Sequence, residues 1–367
     1  MDESNRFSEK EKVKHTRNAQ KSQFSARSSR IHKIYFPIYS DCDIIPKIEL
    51  HCHLDGSMSI DVTSRLLQEK GIDMPEEELK RKLEAPDDCS SLAEYLERFD
   101  LPISLLQTQH GLEESAYDLA KNAAAENVKY IEVRFAPIFS TSQGLKIPEI
   151  IESVQKGLNR AQNDYGIFSG IIVCAMRHLD MDTNISVLHQ SMELFNAGVV
   201  GCDIAGDEKL HTNLEYKEFF DEAKRLGIPF TIHSGECGNA NNIIEAIELG
   251  AGRIGHGIAM KGRTDIIRQC SQKKIGIEMC PNSNIQTKAI DDFANYPFPE
   301  YFKNDVMISI NTDNRTVSNT TCTKEWEMLS RIYDFNSDDI KKIYKDSVEM
   351  SFASDDIKDK LLKTSCF

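Results

Sequence analysis

The stretch Lys47-Ile48-Glu49-Leu50-His51-Cys52-His53-Leu54-Asp55-Gly56 decides how the rest of the chain is read. It has the pattern of a buried strand running into a Gly-containing turn. Successive side chains alternate between the two faces of a strand, so His51 and His53 project from one face, with Asp55 just beyond. Two imidazoles on one face can grip a single metal ion. An isolated His-x-His is more often a strand end facing water or a satisfied core pair, so the other strands must decide.

Working outward, short apolar, β-branched runs recur at 128–136, 168–175, 199–205, 229–233, 253–257, 276–280 and 307–311. Stretches such as 114–127, 149–164, 213–226 and 243–249 are long enough for crossover helices between them. Eight strands alternating with helices predict an α/β fold, a (β/α)8 TIM barrel. An open doubly wound sheet is the alternative, but no Gly-x-Gly-x-x-Gly turn follows the first strand, which leaves a dinucleotide fold little support. Between the first two strands, 59–70 carries Ile60, Val62, Leu66 and Leu67 at helical spacing, and Pro75 with three following glutamates marks another helix start. In 91–99, Leu92, Tyr95, Leu96 and Phe99 form one apolar stripe. That stripe reads as core, or as a helical lid inserted after strand 1. Residues 324–367, with the single tryptophan Trp326, read as a polar outer helix and C-terminal extension.

Residues 1–34 differ from all of this. Nine Lys/Arg against four acids make the segment +5 and leave −19 of the total −14 for the remainder. It is Ser-rich and nearly free of large apolar residues, so it is expected to be a disordered basic tail before one catalytic domain at 35–367. Its acid-free part, 13–34, shares its composition with organellar transit peptides, although the acidic first dozen residues spoil that match. The acidic balance argues against nucleic-acid binding, no run is long enough for a membrane helix, and no secretory signal is visible. The ten scattered cysteines form no Cys-x-x-Cys pair and read as reduced thiols of a cytoplasmic protein.

In such a barrel, chemistry sits at the C-terminal ends of the strands. The first strand ends in His51, His53 and Asp55, the fifth in His233-Ser234-Gly235-Glu236, and the sixth in Gly255-His256-Gly257. The seventh continues into Cys280-Pro281-Asn282-Ser283-Asn284, and the eighth ends in Asn311-Thr312-Asp313-Asn314. Four of the ten histidines on one rim are hard to read as strand ends that happen to meet water. The inventory suits one zinc ion, for which His51, His53, His233 and Asp313 supply enough donors. Glu236 and His256 remain as acid–base groups, the complement a hydrolysis needs.

These motifs, with Val200-Gly201-Cys202-Asp203-Ile204-Ala205-Gly206-Asp207-Glu208 in the fourth strand, resemble the ordered set of the adenosine deaminase family, from about residue 46 to 355. The resemblance implies one zinc per subunit and conversion of adenosine, with 2′-deoxyadenosine, to inosine and ammonia in purine salvage. It assigns the metal to His51, His53, His233 and Asp313. Glu236 would protonate purine N1, and His256 would orient the attacking water and take its proton. The nucleoside would contact His53, Asp55 (ribose), Gly201 (backbone N–H to N3), Asn314 (N7) and the wall Leu92, Tyr95, Leu96 and Phe99. Asn314 stands where many relatives carry a second Asp; its amide donates without prior protonation. Ser234 replaces a commoner alanine. The expected partner is a small purine nucleoside, with a monomer favoured.

Rival readings are a deaminase of adenine, methylthioadenosine or methyl-AMP, a two-metal hydrolase, or a silent nucleoside-binding relative. Asp55 would repel a 5′-phosphate at short range. The fourth strand lacks the bridging lysine of a two-metal site, and the complete acid–base and ligand set argues against a silent relative.

Overall fold

Eight parallel strands alternate with helices along the computed structural model, which describes residues 42–364 except Asp87 and Gly238. They are β1 (Lys47–His53), β2 (Val128–Phe135), β3 (Phe168–Met176), β4 (Val199–Ala205), β5 (Thr231–Ser234), β6 (Arg253–His256), β7 (Gly276–Met279) and β8 (Ile308–Ile310). β1 to β4 form one ladder and β5 to β8 another. Two bridges close the barrel. Cys202 pairs with Phe230 across the β4–β5 seam, and Cys52 pairs with Asp313 across the β1–β8 seam. At the second seam His53 N–H donates to the Asp313 carbonyl (2.7 Å) and Asp313 N–H to the His51 carbonyl (2.9 Å). The His-x-His motif of the first strand and the Asp313 motif after the last are therefore stitched together by backbone. The expected tail at 1–34 and the start of the domain at 35 lie outside the described residues.

The crossover helices begin and end on local signals. Thr108 accepts from the Gly111 N–H at the start of Gln109–Ala125, and Asn239 from the Asn241 N–H before Ala240–Leu249, while Gly166 and Gly250 end their helices in the left-handed conformation. Ser91 likewise caps Leu92–Leu96, but the helix expected across 91–99 breaks there. It tightens to a 3-10 turn at Glu97–Phe99 and resumes as Asp100–Leu105. Pro102 is the reason: it has no N–H to give the Arg98 carbonyl, so α-type bonding cannot run through.

The C-terminal residues are not an outer extension. They fold as Cys322–Tyr333, Ser337–Met350 and Asp355–Thr364, and Trp326 is buried. The middle helix turns Ile343, Tyr344, Ser347 and Val348 inward and leaves Asp338, Lys345 and Glu349 exposed. Its inner face packs with Ile48, Leu50 and Tyr130. Just beyond it, the Phe352 ring covers the Arg253 guanidinium at 3.8 Å, and Phe352 N–H donates to Glu132 Oε1 (2.6 Å). These helices build the floor of the barrel. Their sequence looks polar because charges fill the outer face of a 3.6-residue period. Among the described residues no helix is long and apolar enough to cross a membrane.

Candidate active site

At the mouth, His51 Nε2 and His53 Nε2 lie 3.3 and 3.4 Å from Asp313 Oδ1, and His53 Nε2 lies 3.3 Å from His233 Nε2. The far sides of two rings fix their tautomers. His51 Nδ1 meets Glu278 Oε2 at 2.7 Å and His233 Nδ1 meets Asp203 Oδ2 at 2.8 Å. With each Nδ1–H given to a carboxylate, the Nε2 lone pairs turn inward. Burial pushes His51 and His53 below the ordinary imidazole range, so they are neutral at pH 7. Asp313 is the opposite case: burial acts to raise its carboxyl, but His51 and the other imidazoles hold it well below the usual range. Its second oxygen, Oδ2, accepts from Ser283 Oγ at 2.6 Å, which leaves Oδ1 for the cluster.

Lone pairs facing one another across 3.3 Å repel unless a cation lies between them. Donors 2.0–2.1 Å from one tetrahedral ion sit about 3.3–3.4 Å apart, which is the spacing found. His51 Nε2 is also buried without a hydrogen-bond partner. The residues fit a metal ion.

His256 is near enough to compete, since His51, His233, His256 and Asp313 offer atoms within 4.8 Å of one another. Its hydrogen bonds decide against it. Tyr296 donates to Asn284 Oδ1 (3.0 Å), and Asn284 Nδ2 donates to His256 Nδ1 (2.9 Å). A ring whose Nδ1 accepts keeps its proton on Nε2, which favours His53 as the third imidazole of the expected ligand set. His256 Nε2 instead points toward Glu236 Oε2, 3.8 Å away. Both His256 (φ 65°) and Asp313 (φ 60°) occupy the left-handed backbone region. Non-glycine residues there cost of order 1–3 kcal/mol each, and such strain clusters at functional sites.

A cavity of about 360 Å³ opens above this cluster. His53, Asp55, His233, Glu236, His256, Asp313 and Asn314 line its polar side, and Leu92, Tyr95, Leu96 and Phe99 its apolar side. His51 lies behind them, fully buried. Burial raises the Glu236 carboxyl, and the Asp313 charge adds to the shift. Burial also lifts Asp55 to about 6, and both Asp55 Oδ1 and Asn314 Oδ1 lack a protein partner. Gly56 makes room for Asn314: a Cβ there would lie 1.8 Å from Asn314 Oδ1. Tyr95 is more than an apolar wall, because its hydroxyl bonds Ser318 Oγ at 2.6 Å.

Gly201 is misplaced by the sequence reading. It lies inside β4 in register with Ile172, and its missing Cβ faces the Phe352 ring on the barrel floor, 2.6 Å away. The glycine of this segment that lines the cavity is Gly206, just past the strand end, with φ 107°. The sequence reading also passed over Arg134, Asp203, Glu208 and Glu278. For Arg134, Asp203 and Glu278 the signal was present: the apolar runs of β2, β4 and β7 contain charges that only a buried partner could accommodate, whereas Glu208 lies past the end of β4 and had no such marker.

A barrel mouth that turns neutral imidazole lone pairs and one carboxylate oxygen onto a cation-sized gap, beside a buried acid, defines a metal-dependent hydrolase. A family profile described as Adenosine deaminase matches residues 46–365. The chain is 43% identical over 323 residues to an adenosine deaminase of Clostridium botulinum (strain 657 / Type Ba4), covering 87% of this chain and 98% of that protein. It is 41% identical over 316 residues to one of Enterococcus faecalis, covering 86% and 94%. Among solved structures, an adenine deaminase from Arthrobacter aurescens matches with a TM-score of 0.80 at 26% identity, covering 87% of this chain and 97% of that one. The chain belongs to the adenosine deaminase family.

Proposed function

We propose that the protein deaminates adenosine and 2′-deoxyadenosine hydrolytically, giving inosine and ammonia, with one zinc ion held by His51, His53, His233 and Asp313. The observation that carries this reading is the convergence of three Nε2 atoms on Asp313 Oδ1 and one another at 3.3–3.4 Å, beside a buried Glu236 whose carboxyl burial raises. Zinc bound there supplies Lewis acidity, which lowers the pKa of a coordinated water from about 15.7 to about 7.

The protein's own groups do the rest. Glu236 keeps its proton to higher pH than an exposed glutamate, so it can hand that proton to purine N1 as negative charge develops there. His256 directs Nε2 toward the same space and orients the attacking water. For His256 to take the water's proton and pass it to the amino group as the C6–N bond breaks and ammonia leaves, the Asn284 amide turns over and presents Oδ1 to Nδ1. Asn314 faces the cavity with an amide that can donate to N7, a pure acceptor. Asp55 offers a free carboxylate oxygen to a ribose hydroxyl and disfavours a 5′-phosphate.

Ammonia release from adenosine, adenine and AMP, each with and without chelator, tests the assignment. Adenosine is expected to lead and to lose its turnover on chelation; a preference for AMP or adenine overturns the substrate. Glu236→Gln is expected to lower kcat by about 10²–10⁴-fold with zinc retained. Near-normal turnover in that variant removes Glu236 from the acid role.

A further inference from the structure

Glu236 is held by its backbone alone. Among the described residues its carboxyl makes no hydrogen bond, and His256 Nε2 lies 3.8 Å from its Oε2. Where that carboxyl points therefore depends on the turn that follows β5. The strand before the turn is fixed from below: Arg177 Nη2 donates to the His233 carbonyl (2.8 Å) and Asn213 Nδ2 to Ser234 Oγ (2.8 Å). The turn itself is clamped by one side chain. Glu208, buried just beyond β4, accepts from Gly235 N–H through Oε2 (2.8 Å) and from Cys237 N–H through Oε1 (2.6 Å). Asn242 Nδ2 also reaches Oε2, at 3.1 Å, and the Glu208 carbonyl, at 3.4 Å.

We infer that Glu208 is a positioning residue for Glu236, bracing the backbone N–H groups on either side of it so that the acid faces the reacting ring. The inference rests on the reading of Glu236 as the proton donor. Two carboxylate oxygens spanning one residue fix both the position and the rotation of that residue's peptide planes, and hydrogen bonds to an ionised acceptor are about twice as strong as neutral ones. Gly235 makes the arrangement possible. Its φ of 72° directs its N–H toward Glu208, and a Cβ there would collide with Ile243 at 2.5 Å. Burial raises the Glu236 carboxyl and the Glu208 charge adds a smaller push the same way, so the brace and the acid's chemistry act in the same direction. A displacement of about 1 Å at a reacting group costs up to about 10²-fold in rate, and a loosened turn gives displacements of that order.

A double-mutant cycle with E208Q and E236Q, read as kcat and KM on adenosine in the metal-loaded enzyme, tests the brace. In E208Q one oxygen becomes an amide that faces a backbone N–H instead of accepting from it. Expected for E208Q are a kcat lower by about 10–100-fold, KM within about threefold and unchanged metal content. In the E236Q background the same change should cost less than about threefold, because the residue being positioned no longer acts. Equal losses in both backgrounds, or a folded E208Q with wild-type kcat, overturn the inference. If E208Q is not recovered folded, E208D takes its place in the cycle. It keeps both oxygens on a stem one methylene shorter, and the same additivity overturns the brace. Near-normal turnover in E236Q by itself removes the underlying acid role, and that result is obtained before Glu208 is changed.

Discussion

At the barrel mouth, the Nε2 atoms of His51, His53 and His233 crowd Asp313 Oδ1 and one another at 3.3–3.4 Å. Directly beneath, every charge has found an opposite one. Arg134 donates to Asp203 (2.7 Å) and Glu278 (2.8 Å), and Arg253 donates to Glu278 (2.6 Å) and Glu132 (2.5 Å), all of them fully buried. Removing ions from water costs several kcal/mol each, so such a layer persists only when complete. The upper layer differs in a specific way: its donors converge on one point with the spacing of ligands around a single cation. The two layers are also joined. Asp203 and Glu278 each accept from an arginine below and from a histidine Nδ1 above. The lower layer's carboxylates thereby set the tautomers that leave the upper layer able to bind a cation.

The carboxylates register this difference. Burial alone would raise Glu278, but Arg134 and Arg253 outweigh it and hold its carboxyl well below the usual range. Glu325 is equally buried but has only neutral donors, Asn282 (2.7 Å) and Thr320 (2.7 Å), and burial lifts it to about 7.

The largest expected effect comes from damaging the upper layer. Asp313→Ala should lose bound metal and at least about 10³-fold in turnover; elemental analysis beside an ammonia assay checks both, and an active variant that retains its metal would break the comparison. Next comes the lower layer. Arg134→Met strands Asp203 and Glu278 without that guanidinium and should destabilise the fold by about 3–5 kcal/mol, read from urea unfolding. A loss under about 1 kcal/mol would mean that the paired layer does not need to be complete.

Glu325 sharpens the contrast through pH. Its folded pKa lies above its unfolded one, so its contribution is full below about pH 4.5 and is lost as pH rises through about 7. Wild-type stability should therefore fall across that window by up to about 3 kcal/mol from this group. Glu325→Gln should flatten the slope in unfolding measured at several pH values, and an unchanged slope argues against a protonated Glu325. The smallest effect is at the junction between layers. Glu278→Gln keeps the side-chain shape but alters the His51 tautomer control; beyond the stability lost with its two arginine pairs, the folded variant should bind metal about 10–100-fold more weakly in chelator competition. Unaltered affinity would show that the layers are adjacent without being coupled.

The barrel was legible because apolar, β-branched runs separated by helix-length segments have few other solutions; the run at 199–205 coincides with β4. The site was legible where each residue marked its own strand end, as His51, His53, His233, His256 and Asp313 do. Legibility failed where direction or partnership mattered. Gly201 and Gly206 sit in one motif, and only the sense of the strand tells floor from mouth. The floor helices hid behind charges on their outer faces. Arg134 was visible as a charge inside an apolar run, but its partners lie 69 and 144 residues further along, and no local period encodes a pairing at that distance.

The seam between the first and last strands bears on how the molecule is made. His51 and His53 emerge early from the ribosome, while Asp313, which pairs with their backbone, and the floor at Met350 arrive as much as roughly 300 residues later. At about 5–20 residues per second that is a wait of roughly 15–60 s, during which β1 has no partner on its β8 side. A nascent or truncated chain ending short of the floor presents the two histidines without Asp313 fixed beside them. The ability to hold a metal ion is thus the last property the chain acquires during synthesis, and it arrives only when the fold is complete.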